Sequence, residues 1–245
     1  MRILGAIAVG LALAGGCKPA RPLPPAAVLA PAAAPPAARP PAPSVLLVPP
    51  ARGVLKLDGE LVEEDWRRAA RTDPFRDAAG RLARPHSEAR LLWQGRTLFM
   101  ALYAADEDIR ATAATHDSPL AGDDHFVLRF ADERGGGASV IEISAAGVVA
   151  DAREDAAGAR DTTWESAVRL GVERDGTLND PRDDDEEWVV EAAVPLSALG
   201  QAARPGARLR LSIERCDTPH DGRRRCGAWG QGPGGEVVGI VELGD

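Results

Sequence analysis

Residues 88–103 read Glu88-Ala89-Arg90-Leu91-Leu92-Trp93-Gln94-Gly95-Arg96-Thr97-Leu98-Phe99-Met100-Ala101-Leu102-Tyr103. Two runs rich in apolar and aromatic residues flank a short connection containing Gly95, the signature of an antiparallel hairpin. The same texture recurs at His125–Phe130, Ala138–Ser144, Trp164–Val172, Glu187–Val194, Arg208–Arg215 and Glu236–Leu243. Turn clusters separate these runs: Arg134-Gly135-Gly136-Gly137, Ala145-Ala146-Gly147 and Arg174-Asp175-Gly176. Glu60–Ala70 is the helical candidate, with Leu61, Trp66 and Ala69-Ala70 on one face, and Pro195–Gly200 reads as a single helical turn closed by Gly200. Many short antiparallel strands with glycine-rich turns predict an all-β fold, an antiparallel β-sandwich of jelly-roll or immunoglobulin-like kind with one or two short helices.

Composition narrows the function classes. The chain has 245 residues, 29 basic and 37 acidic, for a net charge of −8. Four of the basic residues and no acidic ones lie in the first 50 positions, so residues 51–245 carry 25 basic against 37 acidic groups, a net of −12. Such a surface repels nucleic acid and anionic lipid. Three cysteines are too few for a disulfide-built fold or a multi-cysteine zinc site. The four histidines, His86, His116, His125 and His220, show no metal-ligand spacing, and no Gly-x-Ser-x-Gly elbow is present. Carboxylates are so abundant that their presence carries little weight for glycoside hydrolysis; that activity stays open, because the separation of a carboxylate pair in space decides it. The expectation is a non-catalytic domain.

The N-terminus differs in kind. Arg2 is followed by the apolar stretch Ile3–Leu13, then by Ala14-Gly15-Gly16-Cys17. This resembles a bacterial lipoprotein signal peptide, residues 1–16, and the resemblance implies lipidation at Cys17. Two or more acyl chains anchor stably. Lys18 after the cysteine resembles the outer-membrane sorting pattern, so the expected location is the cell envelope, anchored to the outer membrane. Residues 17–50 are read as a Pro/Ala-rich tether, because positions 18–50 hold 12 of the 20 prolines and ten alanines. Proline fixes φ and removes a donor, so such a segment extends by up to roughly 100 Å at about 3.1 Å per residue. Residues 51–245 form the expected folded domain.

Within that domain, Leu55-Lys56-Leu57-Asp58-Gly59-Glu60-Leu61 leads to Glu64-Asp65-Trp66. Ala89–Trp93, Leu98–Ala101, Ala105–Ile109, Pro119–Asp124, Ile141–Ser144, Trp188–Pro195, Pro205-Gly206 and Ala228-Trp229 follow in order. This succession resembles the carbohydrate-binding modules of family 9. The resemblance implies a β-sandwich that binds a carbohydrate or cell-envelope glycan. Sugar-binding members clamp the ligand between two tryptophans. The corresponding positions here are Leu120 and the aromatic-free loop Gly230–Gly235, and the acidic residue of the following strand is replaced by Val127.

A pyranose needs a flat aromatic face and polar groups for its hydroxyls. Trp66, Trp93 and Trp188 read as core; Trp164 and Trp229 border Gly- and Asp-rich loops and are candidates for an accessible face. Asp123, Asp124, Glu142, Ser144 and Arg215 are the polar candidates, with ion pairs and hydrogen bonds at strand ends as the competing reading. Calcium is a further possibility. Its hard-oxygen ligands would come from Asp106 with Asp108, Asp123 with Asp124, and the run Asp183–Glu187, and some family members carry structural calcium. Cys216 and Cys226 flank a loop holding Arg223-Arg224-Arg225, and in an exported chain they predict a disulfide worth on the order of 3 kcal/mol. Two rival readings are a haem-binding electron-transfer sandwich, with Met100 as the only methionine after the first residue, and a purely structural envelope module.

Overall fold

The computed structural model describes residues 45–131 and 136–245. The signal peptide, Cys17 and most of the tether lie outside the described residues. Among the described residues, no helix is long and apolar enough to cross a membrane.

The domain is a β-sandwich of two sheets. The strands are β1 (Val45–Val48), β2 (Ala70–Arg71), β3 (Ser87–Gln94), β4 (Thr97–Ala105), β5 (His125–Ala131), β6 (Gly137–Ser144), β7 (Val149–Asp155), β8 (Arg160–Asp161), β9 (Arg169–Asp175), β10 (Glu187–Pro195), β11 (Arg208–Asp217), β12 (Arg225–Trp229) and β13 (Ile240–Leu243). The larger, eight-stranded sheet runs β1-β13-β11-β5-β6-β7-β8, with β12 also on β11; the five-stranded sheet runs β2-β3-β4-β10-β9. All pairings are antiparallel except β1 with β13.

Period-two alternation places the core. Phe126, Leu128 and Phe130 of β5, Ile141 and Ile143 of β6, and Leu209, Leu211 and Ile213 of β11 project from the larger sheet. They meet Leu91 of β3, Leu98, Met100 and Leu102 of β4, and Trp188 and Val190 of β10. The rings of Phe126 and Trp188 pack at 4.9 Å between centroids. The smaller sheet is buried on its other face as well. There Trp66, Leu92, Phe99, Ala101 and Ala193 form a second cluster under Leu55, Leu57 and Leu61. This double burial explains why β4 and β10 read as near-continuous apolar runs rather than strict alternations.

The cover over that outer face depends on two close backbone approaches. Gly59 has φ +89°, and a Cβ there would lie 2.4 Å from the amide nitrogen of Glu173; a Cβ on Gly171 would lie 2.0 Å from the carbonyl oxygen of Leu57. Glycine is required at both positions. The N–H groups of Asp58 and Gly59 donate to Glu191 Oε2 at 2.9 and 2.7 Å, and Trp66 Nε1 donates to Glu191 Oε1 at 2.7 Å. The Asp58-Gly59 … Trp66 pattern is therefore a lock on one buried carboxylate.

The structure departs from the sequence reading in several places. Val45–Val48, within the segment read as tether, form a strand, because they lie between prolines rather than containing one and pair in parallel with β13 from Val45↔Ile240 to Val48↔Leu243. The helix is only Glu64–Arg68: Leu61 takes φ 49° and Ala69 is extended toward β2. Residues 196–200 form hydrogen-bonded turns, with Gly200 at φ 67°. The strand expected from Trp164 starts at Arg169, because Ala167 takes φ 54° and Ser166 N is engaged by Asp151 Oδ2. The strand expected from Glu236 spans only Ile240–Leu243. Strands β2, β7, β8 and β12 carry too little apolar alternation to be read beforehand.

Cys216 and Cys226 face each other across β11 and β12 and form the expected disulfide.

Candidate functional site

The alternation that buries Leu209, Leu211 and Ile213 continues along β11 to Arg215 and Asp217, so both point into one end of the sandwich. Arg215 Nη2 donates to Asp106 Oδ2 and to Asp217 Oδ1, each at 2.7 Å, and Trp188 Nε1 donates to Asp106 Oδ2 at 2.9 Å. Asp124 lies in the same cluster: one carboxylate oxygen each of Asp106, Asp124 and Asp217 come within 4.8 Å of one another. Residues 106–124 run largely without regular secondary structure, so their N–H groups need other acceptors. Carboxylates supply them. Asp124 accepts from Arg110 N (2.7 Å) and Thr218 N (2.8 Å), Asp123 from Thr112 N (2.8 Å) and Ala113 N (3.0 Å), and Asp185 from Ile109 N (2.7 Å). Asp123, Asp124 and Arg215 thus brace the loop from within. The guanidinium of Arg215 lies between Asp106 and Asp217 and supplies positive charge to both.

Burial, and next the charge of Asp106, pushes Asp124 up to about 7, and burial also raises Asp217 against the opposing pull of Arg215. A carboxyl whose folded pKa exceeds its unfolded value holds its proton better in the folded state. Its stabilising effect is full below the unfolded value near 3.8 and fades as pH rises through about 7. The domain is therefore expected to melt higher at pH 5 than at pH 8, by about 5 °C for roughly 2 kcal/mol. Asp124→Asn should flatten that difference in a thermal-melt series.

The remaining candidates separate. Ser144 is fully buried, with its Oγ accepting from Val148 N at 3.1 Å. Trp229 is buried with Trp66, Trp93 and Trp188, and Met100 is a core residue with no open face. Leu120 also points inward. Val127 stands on the outer face of the larger sheet, paired with Glu142 on one side and Glu214 on the other, and Gln231 of the last loop donates to Glu214 Oε2 at 3.3 Å.

Glu142 and Trp164 are both tied to a polar cleft of about 600 Å³ formed by β5, β6, β7, β8 and the turn at Leu199–Gln201. Arg153, Glu154, Arg160, Asp161 and Gln201 supply its polar lining, with Phe130 and Leu199 among the apolar residues. Arg153 stacks over the Trp164 ring at 5.2 Å and donates to Ala198 O at 2.9 Å. Arg160 donates to Glu142 Oε1 at 2.7 Å. Trp164 is half-buried, packs against the hydrophobic core and carries the Arg153 guanidinium on its ring, so it supports the cleft through Arg153 rather than lining it. Arg153 and Arg160 went unnoticed in the sequence because β7 and β8 lack an apolar strand pattern, and Gln201 because it lies in the turn after β10.

No family model matches the chain, and no curated protein matches it. Solved structures do match its fold. A family 9 carbohydrate-binding module from Caldicellulosiruptor kristjanssonii in complex with cellotriose aligns with TM-score 0.58 and 13% identity, over 82% of this chain and 94% of that one. A candidate carbohydrate-binding protein from Bacteroides uniformis aligns with TM-score 0.63 and 15% identity, over 81% and 98%. A glucose complex of a family 9 module from C. kristjanssonii aligns with TM-score 0.55 and 14% identity, over 81% and 96%. The described domain has the sandwich fold of these modules.

Proposed function

We propose that the domain is a non-catalytic carbohydrate-binding module, displayed on a lipid-anchored chain of the cell envelope through Cys17 and the Pro/Ala-rich segment. The observation that carries this reading is the polar cleft of about 600 Å³, whose Arg153 stacks over Trp164, in a fold shared with modules whose structures hold glucose or cellotriose. Arg153, Arg160, Asp161 and Gln201 supply donors and acceptors for sugar hydroxyls, Phe130 and Leu199 supply apolar lining, and Trp164 acts from behind Arg153, whose guanidinium stacks on its ring. The tryptophan pair of the sugar-binding family members has no counterpart at Leu120 or Gly230–Gly235, so the contact is assigned to this cleft.

Glycan-array screening followed by calorimetry on the best binder tests the reading. Trp164→Ala should weaken binding at least tenfold, about 1.4 kcal/mol. An array without any bound glycan, or a Trp164→Ala variant that binds as tightly as the parent, would overturn it.

A further inference from the structure

The folded chain brings His116, Asp151 and Glu165 together, although they are far apart in sequence and none lies in a metal-binding motif. One ligand atom from each, a ring nitrogen or a carboxylate oxygen, falls within 4.8 Å of the other two. His116 Nε2 lies 3.1 Å from Glu165 Oε2 and 3.5 Å from Asp117 Oδ1. Asp151 is 2% exposed and forms the floor. Its Oδ2 accepts from Ser166 N at 2.9 Å, while its Oδ1 is buried with no hydrogen-bond partner. Leaving a buried carboxylate oxygen unsatisfied is costly, and such an atom calls for an explanation. The other groups are open to solvent: the side chains of His116 and Glu165 are 47% and 62% exposed.

From this we infer a surface site for a single zinc ion, with His116 Nε2, Asp151 Oδ1 and Glu165 Oε2 as ligands and Asp117 Oδ1 in reach. Zinc takes nitrogen and carboxylate oxygen at about 2.0–2.2 Å in tetrahedral geometry, which sets neighbouring ligand atoms about 3.3 Å apart. The His116 Nε2–Glu165 Oε2 separation of 3.1 Å lies close to that value, and Asp151 stands within 4.8 Å of both, a gap that rotation of the exposed His116 and Glu165 side chains can close. A proton on Nε2 could satisfy only one of the surrounding carboxylates, whereas a cation serves all of them. The imidazole argues for zinc over calcium, which prefers six to eight oxygens. The three ligands come from β7, from the segment before β5 and from the segment before β9. The ion would therefore tie the Trp164-bearing segment to β7, independently of whether sugar binds.

Calorimetric titration of the untagged full chain at pH 7.5, after EDTA treatment and dialysis, tests the site with zinc chloride and calcium chloride. One zinc ion per chain, a raised melting temperature and no response to calcium are expected. His116→Ala and Asp151→Asn should each weaken zinc binding at least tenfold. Asp151→Asn retains an oxygen for Ser166 N, and the exposed His116→Ala decides the matter if that variant fails to fold. Absence of one-to-one zinc binding with a Kd below about 100 µM, an unchanged affinity in His116→Ala, or equal binding of calcium would each overturn the assignment.

Discussion

Arg215→Ala is expected to destabilise the domain by about 3–5 kcal/mol, the cost of breaking a buried ion pair by removing one partner. Arg215 is 3% exposed at its side chain, Asp106 is wholly buried and Asp217 is 2% exposed. Without the guanidinium, Asp106 keeps only the Trp188 Nε1 bond on its Oδ2, and Asp217 loses the donor on its Oδ1. The consequence spreads along the chain, because the same carboxylate cluster holds residues 106–124 against β11. Urea denaturation should show the loss as a lower midpoint. It should be largest at pH 8, where Asp124 and Asp217 have the least recourse to protonation. The double variant Arg215→Ala with Asp217→Ala should recover part of the deficit, since one uncompensated charge goes with the arginine. A loss under about 1 kcal/mol in the single variant would show that the arginine is not the counter-charge of the cluster.

Glu191→Ala should cost a comparable amount, about 3–5 kcal/mol, through three donors left unsatisfied at about 1–3 kcal/mol each and incompletely additive. Glu191 is wholly buried on the outer face of the smaller sheet. It alone joins Trp66 Nε1 and the N–H groups of Asp58 and Gly59 to β10. Burial raises its pKa, and those three donors oppose the rise. Removing the carboxylate should loosen residues 51–69 and uncover Leu92 and Phe99. Faster limited proteolysis near Leu61 should accompany the lower denaturation midpoint. Glu191→Gln, which keeps one acceptor oxygen, should fall between the parent and the alanine variant. Unchanged proteolysis in Glu191→Ala would contradict the lock.

Much of the fold was legible along the chain because a strand's burial is written with period two. The runs at 88–103, 125–130, 138–144, 187–194 and 208–215 alternate or saturate with apolar residues, and each became a strand of the sandwich. The Asp58-Gly59 … Trp66 pattern was legible as a family resemblance, although its reason, a shared grip on Glu191, lies on a distant strand. Strands β7 and β8 were not legible. Ala150, Asp151, Ala152 and Arg153 alternate a small residue with a polar one, without the apolar half that marks a strand, and the polar ones serve the proposed zinc site and the cleft.

The chain's own residue order settled the all-β class, the inward direction of Trp66, Trp93 and Trp188, and the pairing of Cys216 with Cys226. Each follows from local periodicity or from two cysteines at neighbouring strand ends. Folding in three dimensions settled which polar residues serve the interior and which face solvent. Asp123, Asp124, Ser144 and Arg215 went to the interior, while Arg153 and Arg160 came together at the cleft, with Trp164 behind Arg153, and His116, Asp151 and Glu165 at the proposed zinc site. The reason is physical. A polar side chain is placed by partners that reach it across the sandwich, and residues distant along the chain meet only once the strands have paired.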